Sequence, residues 1–121
     1  MNETALTVKL RKAFPPSVFI IKHTDQFNTG VPDLSLSFRD ATSWWEIKYA
    51  NPHLIQREIQ VLRIKQFSYH ARVRYVIFDA VRNGAQILNP TELGDRLKLP
   101  LTCNGFDFKM LAETMMRIHL L

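Results

Sequence analysis

Behind Asn2, a residue type that caps helix starts, Leu6, Leu10 and Ala13 recur at helical spacing, which predicts a helix from Asn2 to Phe14. Pro15-Pro16 ends it. Val18, Phe19, Ile20 and Ile21 then form a short β-rich run, read as a buried strand within Ser17 to Lys22. A polar loop, Thr24 to Pro32, contains Gly30 and closes on Pro32. From Asp33 to Phe38 the chain alternates polar and apolar with a period of two, the mark of a half-buried strand, and Arg39 to Ser43 supplies the turn. Trp44 to Tyr49 is an aromatic-rich strand that suits the middle of a sheet.

Pro52 breaks the chain, and Ile55 to His70 reads as a long middle helix. Ile55, Ile59, Leu62, Gln66 and Tyr69 form its predicted sheet-facing stripe, with Val61 and Ile64 pointing away. Val73 to Phe78 is a further strand, Asn83-Gly84 a turn, and Gln86-Ile87-Leu88 a short strand after it. Asn89-Pro90-Thr91-Glu92 looks like a capped helix start. Asp107 to Leu121 places Phe108, Leu111, Ala112, Met115 and Ile118 on one stripe of a last helix. No repeat, low-complexity tract or linker divides the chain. The order of elements predicts a mixed α/β sheet domain.

With 121 residues, 46% of them hydrophobic, the chain can bury one core and is too short for two ordinary domains, so residues 1–121 are expected to form one domain. A formal charge of +5 and a pI near 9.7 favour an anionic partner, because clustered Lys and Arg displace counterions from a phosphate backbone. Charge alone does not single out nucleic acid. Cys103 is the one cysteine and excludes an internal disulfide, which fits a reducing compartment. No apolar run approaches the ~20 residues that span a bilayer, and Met1-Asn2-Glu3 lacks the basic start of a signal peptide. The expectation is a soluble, intracellular protein with no membrane partner.

The chemistry concentrates in the two strands around Arg39. Asp33, Ser35 and Ser37 share one face of the first strand, while Trp44, Glu46 and Lys48 share a face of the second. If the strands pair as a hairpin with Arg39-Asp40 at the tip, counting outward sets Asp33 directly opposite Glu46. Opposed like charges destabilise a sheet, and a divalent cation between them is the simplest reason to keep both. Carboxylate oxygens with water suit Mg²⁺ or Mn²⁺, an ion that polarises a phosphate and activates water at neutral pH. Lys48 stands on the same face, where it can position that water or stabilise developing charge. The alternative for Glu46 and Lys48 is an exposed pair on a solvated strand. Trp44, Trp45, Ile47 and Tyr49 argue against it, because charges are rarely buried without a partner or a metal.

Gly30-Val31-Pro32-Asp33 followed by Trp45-Glu46-Ile47-Lys48 resembles the signature of the PD-(D/E)xK nucleases. The Gly-Val-Pro-Asp lead is especially like virus-type replication-repair nuclease (VRR-NUC) domains and archaeal-type Holliday junction resolvases. The resemblance covers roughly residues 2–79. It implies a restriction-endonuclease-like αβββαβ core, a mixed central sheet flanked by helices, to which residues 80–121 add a strand and helices. It also implies a Mg²⁺- or Mn²⁺-dependent DNA endonuclease, with Asp33, Glu46 and the main-chain carbonyl of Ile47 as metal ligands and Lys48 as a catalytic residue. Many members carry an acid on the first helix. Glu3 shares the stripe of Leu6 and Leu10, so it either turns toward the sheet or only answers the helix dipole. The VRR-NUC branch has a glutamine on the helix after the Glu-x-Lys strand, and Gln66 is the candidate, reaching the metal's water or a substrate phosphate, or else a strand-end carbonyl.

Arg57, Arg63, Lys65, Arg72, Arg74 and Arg82 outnumber Glu58 and Asp79 in the stretch that follows. They are either a solvated helix face or a grip on the DNA backbone, which gives affinity without sequence recognition. Nothing resembles a base-reading module. Structure-selective or weakly selective cutting is therefore expected, and the resemblance implies branched or Holliday-junction DNA as the substrate, in repair or recombination. Cover for Val61 and Ile64 comes from the last helix or from a second subunit, and resolvases of this type act as symmetric dimers, so a homodimer is expected. A phage or mobile-element origin fits as readily as a cellular one, placing the protein in a host cytoplasm or on the nucleoid. His23, His53, His70 and His119 share no metal spacing and read as surface or packing residues, although His23-x-Asp25 sits where it can touch substrate. Tyr49 stacks on a base or packs in the core. Two other classes remain open: a non-catalytic DNA-binding module that keeps the nuclease fold, and a structural or protein-interaction subunit.

Overall fold

The protein is described by a computed structural model over residues 2–24 and 30–121. Part of the predicted loop, residues 25–29 with Asp25, lies outside the described residues. The elements in chain order are α1 (Glu3–Lys12), β1 (Phe19–Lys22), β2 (Leu34–Phe38), β3 (Ala41–Ala50), α2 (Glu58–Phe67), β4 (Val73–Asp79), β5 (Gly84–Leu88), a 3₁₀ helix (Pro90–Lys98), β6 (Cys103–Asn104) and α3 (Phe108–His119). Local chemistry accounts for their ends. Asn2 caps α1 by accepting from the Ala5 N–H at 2.9 Å, Asp107 caps α3 through Met110 at 3.0 Å, and Asn89 with Glu92 forms a reciprocal capping box.

The six strands lie in chain order across one sheet. β3 and β4 run parallel, and every other neighbouring pair is antiparallel. Parallel neighbours need a crossover, and α2 provides it. The β2–β3 hairpin turns on Arg39 and Asp40, both at positive φ (52° and 62°), as a two-residue hairpin loop requires. Its register pairs Phe38 with Ala41 and Leu34 with Trp45. Asp33 and Glu46 are the next positions outward, as the outward count predicts.

Period-two alternation sorts the sheet into two faces. Leu34, Leu36, Trp45, Ile47, Val76 and Phe78 pack with Leu6 and Leu10 of α1 and Leu111 and Met115 of α3. On the other face Ala50, Val73, Tyr75, Ile77 and Leu88 pack with Ile64 of α2 and Leu93 of the 3₁₀ helix. β3 is third of six and covered on both sides, so its charged residues are buried with it: Glu46 is 1% exposed and Lys48 6%.

Two expectations are corrected. β1 is an edge strand and not a buried one; its Phe19 and Ile21 side chains, on the α2 side of the sheet, are 66% and 41% exposed. The middle helix is rotated relative to the predicted stripe. Ile55, Ile59, Leu62 and Tyr69 are exposed, Gln66 is exposed with them, and Val61, Ile64 and Phe67 face the sheet. Both sides of this helix are apolar, so periodicity does not choose between them. The observed rotation brings a carboxamide, Gln60, over the buried Lys48, where the predicted one would have set Ile59 and Leu62 on a lysine and a glutamate.

Candidate active site

The Gly30-Val31-Pro32-Asp33 segment is positioned by α2. A side chain at Gly30 would bring its Cβ to 2.5 Å from the Arg63 Cβ, so only glycine permits this approach of loop to helix. Pro32 is buried behind it, and Asp33 arrives one residue before β2 begins. Regular β2–β3 pairing therefore stops at Leu34 and Trp45, and on the edge of β3 beyond it carboxylates take main-chain N–H groups. Asp33 Oδ2 accepts the Ile47 N–H at 2.8 Å, and Glu3 Oε1 accepts the Tyr49 N–H at 3.3 Å. The N–H and C=O of one residue in an extended strand point to the same side, so the Ile47 carbonyl opens onto this edge as well. Of the two readings of Glu3, the geometry selects the one that turns toward the sheet.

Glu46 stands beside Asp33 on the α2 face. Its Oε1 accepts the Asp33 N–H at 3.1 Å. Its Oε2 is buried and has no hydrogen-bond partner among the described residues, with Lys48 Nζ at 3.6 Å, beyond hydrogen-bond reach. Burial, followed by the charge and side-chain contact of Asp33, pushes the Glu46 carboxyl up to about 8, and the opposing pull of Lys48 and the Asp33 N–H does not restore it. Burial first, and then Glu46, pushes the Tyr75 hydroxyl up on the adjacent strand. Lys48 Nζ donates to Gln60 Oε1 at 2.9 Å.

Among the described residues no group of three or more His, Cys, Asp or Glu side chains converges as a metal cage. The donor set is two carboxylates and a main-chain carbonyl, all hard oxygens, with one buried carboxylate oxygen unsatisfied. This fits a cation such as Mg²⁺, which keeps most of its waters and takes one or two carboxylates. The structure thus brings together Asp33, Glu46 and Lys48, with Glu3 farther along the same edge of β3 at Tyr49. It does not bring Gln66, which lines a surface groove with Val31, Ile59 and Tyr69. Gln60 is the glutamine that reaches Lys48. At about 100° per residue the two amides lie roughly 120° apart around the helix, and it is Gln60 that faces the sheet.

The basic residues divide. Arg57, Arg63 and Lys65 are exposed along α2. Arg72, expected on DNA, instead donates to the carbonyls of His119 and Ile118 at 2.7 Å each, satisfying the open end of α3. Arg82 is similarly committed to Asp79. Arg74 is partly buried beside Ser68, Tyr69 and Thr91 in a cavity; burial, then Arg72, lowers its pKa. His119, read as a surface or packing residue, is a buried tie between Ser43 Oγ (2.7 Å) and the Phe38 carbonyl (2.9 Å).

No family model and no curated protein matches the sequence. Among solved structures the chain is similar to Hjc, a Holliday junction resolvase from the archaeal hyperthermophile Archaeoglobus fulgidus, with a TM-score of 0.50 over 74% of this chain and 76% of that one, at 17% identity. The chain has that resolvase's fold. The mixed sheet with flanking helices is therefore the restriction-endonuclease-like α/β architecture that the motif implied. Among the described residues no helix is long and apolar enough to cross a membrane.

Proposed function

We propose that this chain is a Mg²⁺- or Mn²⁺-dependent endonuclease that hydrolyses DNA phosphodiester bonds. The observation that carries the reading is the buried Glu46 carboxylate, set beside Asp33 with one oxygen unpartnered. Asp33, Glu46 and the Ile47 carbonyl would hold the ion, which supplies phosphate polarisation and a water nucleophile at neutral pH. Lys48 offers its ammonium to charge developing on the phosphate, and Gln60 holds that ammonium in place. Glu3 is an outer acid of the same edge. Arg57, Arg63, Lys65 and Arg74 would grip the backbone, a contact blind to sequence. The fold neighbour is described as a Holliday junction resolvase, and by that likeness branched DNA is the proposed substrate, in repair or recombination inside the cell. A second copy of the chain is the proposed cover for the outward Ile59, Leu62 and Tyr69 stripe, giving two sites for two strands.

The test is cleavage of four-way, flap, nicked, duplex and single-stranded DNA with Mg²⁺, Mn²⁺ or EDTA. Four-way DNA should be cut fastest, only with metal, and not by Asp33→Ala or Glu46→Ala. Salt-sensitive binding without cutting would leave a non-catalytic DNA-binding module instead. Cutting that survives both substitutions would place the chemistry elsewhere. Light scattering at micromolar concentration, with and without branched DNA, tests the dimer, and a monomer mass in both states would remove it.

A further inference from the structure

His23 is outside the nuclease motif, yet the sheet places it next to Asp33. One step beyond the last rung of β1 and β2, Lys22 opposite Leu34, its main-chain N–H donates to the Asp33 carbonyl at 2.7 Å. Opposed residues of antiparallel strands share a face, so His23, Asp33 and Glu46 form one row on the α2 side. The imidazole is pinned at its polar edge and across its ring. Nε2 lies 2.8 Å from Ser35 Oγ, and the ring sits 5.0 Å from Trp44, tilted by 38°. Trp44 is itself held edge-on by Phe67 of α2 at 5.3 Å. Ser35 and Trp44 are register partners across β2 and β3. A single ring therefore fastens the end of β1 to both strands of the hairpin, two rungs from the acids.

That rung needs fastening. β2 begins at Leu34, so Asp33 is outside the regular ladder. Its main chain is held by the His23 N–H on one side and by Glu46 Oε1 on the other. Strand ends fray because few contacts oppose their opening, and fraying here would release the Asp33 carboxylate from Ile47 and from its place against Glu46.

We propose that His23 is a positioning residue for the metal-binding pair, clamping the terminal rung through Ser35 and Trp44 so that Asp33 stays set against Glu46. The inference rests on reading Asp33 and Glu46 as the metal site. The ring acts on the ion through Asp33 and touches no reacting atom.

Two readouts on the full chain without DNA test it: Mn²⁺ affinity, followed by the electron paramagnetic resonance of free Mn²⁺, and amide hydrogen exchange in metal-free protein. His23→Ala should weaken Mn²⁺ binding by roughly tenfold, the lower end for outer-sphere partners of a metal ligand. It should also speed exchange at Ile47, whose N–H is held by Asp33, without changing Val76 or Ile77 in β4. Ser35→Ala should do the same more weakly, and His23→Gln, which keeps a polar group toward Ser35, should recover part of the loss. Wild-type Mn²⁺ affinity in His23→Ala, with Glu46→Gln impaired, would overturn the clamp and leave the metal site standing. Unchanged affinity in Glu46→Gln would overturn the metal site itself. Exchange that rises equally in β4 would also overturn the clamp, because a merely structural residue loosens the whole sheet.

Discussion

Glu46 and Asp79 are carboxylates on the same face of the sheet, 1% and 2% exposed, and their surroundings treat them in opposite ways. Asp79 Oδ1 accepts the main-chain N–H groups of Val81 and Arg82 at 3.0 Å each. Its Oδ2 accepts Arg82 Nε at 2.9 Å and Arg96 Nη1 at 3.1 Å. Burial works against its charge, but these bonds outweigh burial and hold Asp79 below the usual carboxylate range. Arg96 reaches on to the Pro52 carbonyl and Arg82 to that of Leu99, so the cluster ties the 3₁₀ helix and the chain after β3 to the sheet. Glu46 has one amide at 3.1 Å, a lysine at 3.6 Å and an unpartnered oxygen. A charge that serves the fold is closed off by the chain's own donors. The open oxygen of Glu46 is where the proposed cation would bind.

The largest effects should separate the two acids by kind. Glu46→Gln should lower metal-dependent cleavage by at least about 10³-fold, since a metal-bound site is worth several kcal/mol to the reaction, with no loss of thermal stability. Asp79→Asn should cost about 3 kcal/mol of stability, because it strands two arginines, while the protein that remains folded still cuts. Denaturant unfolding beside single-turnover cleavage measures both. A Glu46→Gln protein that unfolds as readily as Asp79→Asn would erase the distinction.

The pH dependence of stability should differ in sign. Glu46 is raised in the folded chain from an ordinary 4.5 to about 8, so the folded state binds the extra proton, and its contribution to stability falls as pH rises from about 4.5 to about 8. Asp79 is lowered, so its contribution is present above its ordinary 3.8 and is lost as pH falls through the folded value. Without metal, the wild-type melting temperature should therefore decline relative to Glu46→Gln between pH 5 and 8. Mg²⁺ should reverse the decline, because it binds the ionised carboxylate. Parallel melting curves for the two proteins across that range would refute the raised Glu46.

Rotation of α2 gives the next test and marks how far the sequence could be read. Gln60→Ala removes a bond to a buried ammonium and should slow cleavage about tenfold, the worth of roughly 1.5 kcal/mol, whereas Gln66→Ala should leave the rate near wild type. The reverse order would restore the predicted stripe. The hairpin was legible because Arg39-Asp40 is a tight turn and alternation sets every rung out to Asp33 and Glu46. The helix was not, because Ile59 and Leu62 on one side and Val61 and Ile64 on the other are equally good cores. The choice falls to Lys48, a contact between elements. β1 was misread for a similar reason: four apolar residues fit an edge as well as an interior, and only strand order tells them apart. The two-residue β6 carries no periodicity at all.

The smallest effect concerns two cations that sequence treats alike. Lys65 is exposed on α2, and Arg72 is bound to the end of α3 across 46 and 47 residues of chain, a distance no local pattern reports. If Lys65 meets a phosphate, Lys65→Gln should reduce the slope of log affinity against log salt by about one, equally for every DNA sequence. Arg72→Gln should leave that slope unchanged and lower stability instead, since two helix-end carbonyls lose their donors. Fluorescence anisotropy with the non-cutting Glu46→Gln protein on four-way DNA, from about 50 to 200 mM salt, reads the slope without turnover. An Arg72→Gln slope reduced as much as that of Lys65→Gln would mean that Arg72 leaves α3 to bind DNA. The division of the basic residues into a tie within the fold and a grip on substrate would then fail at that position.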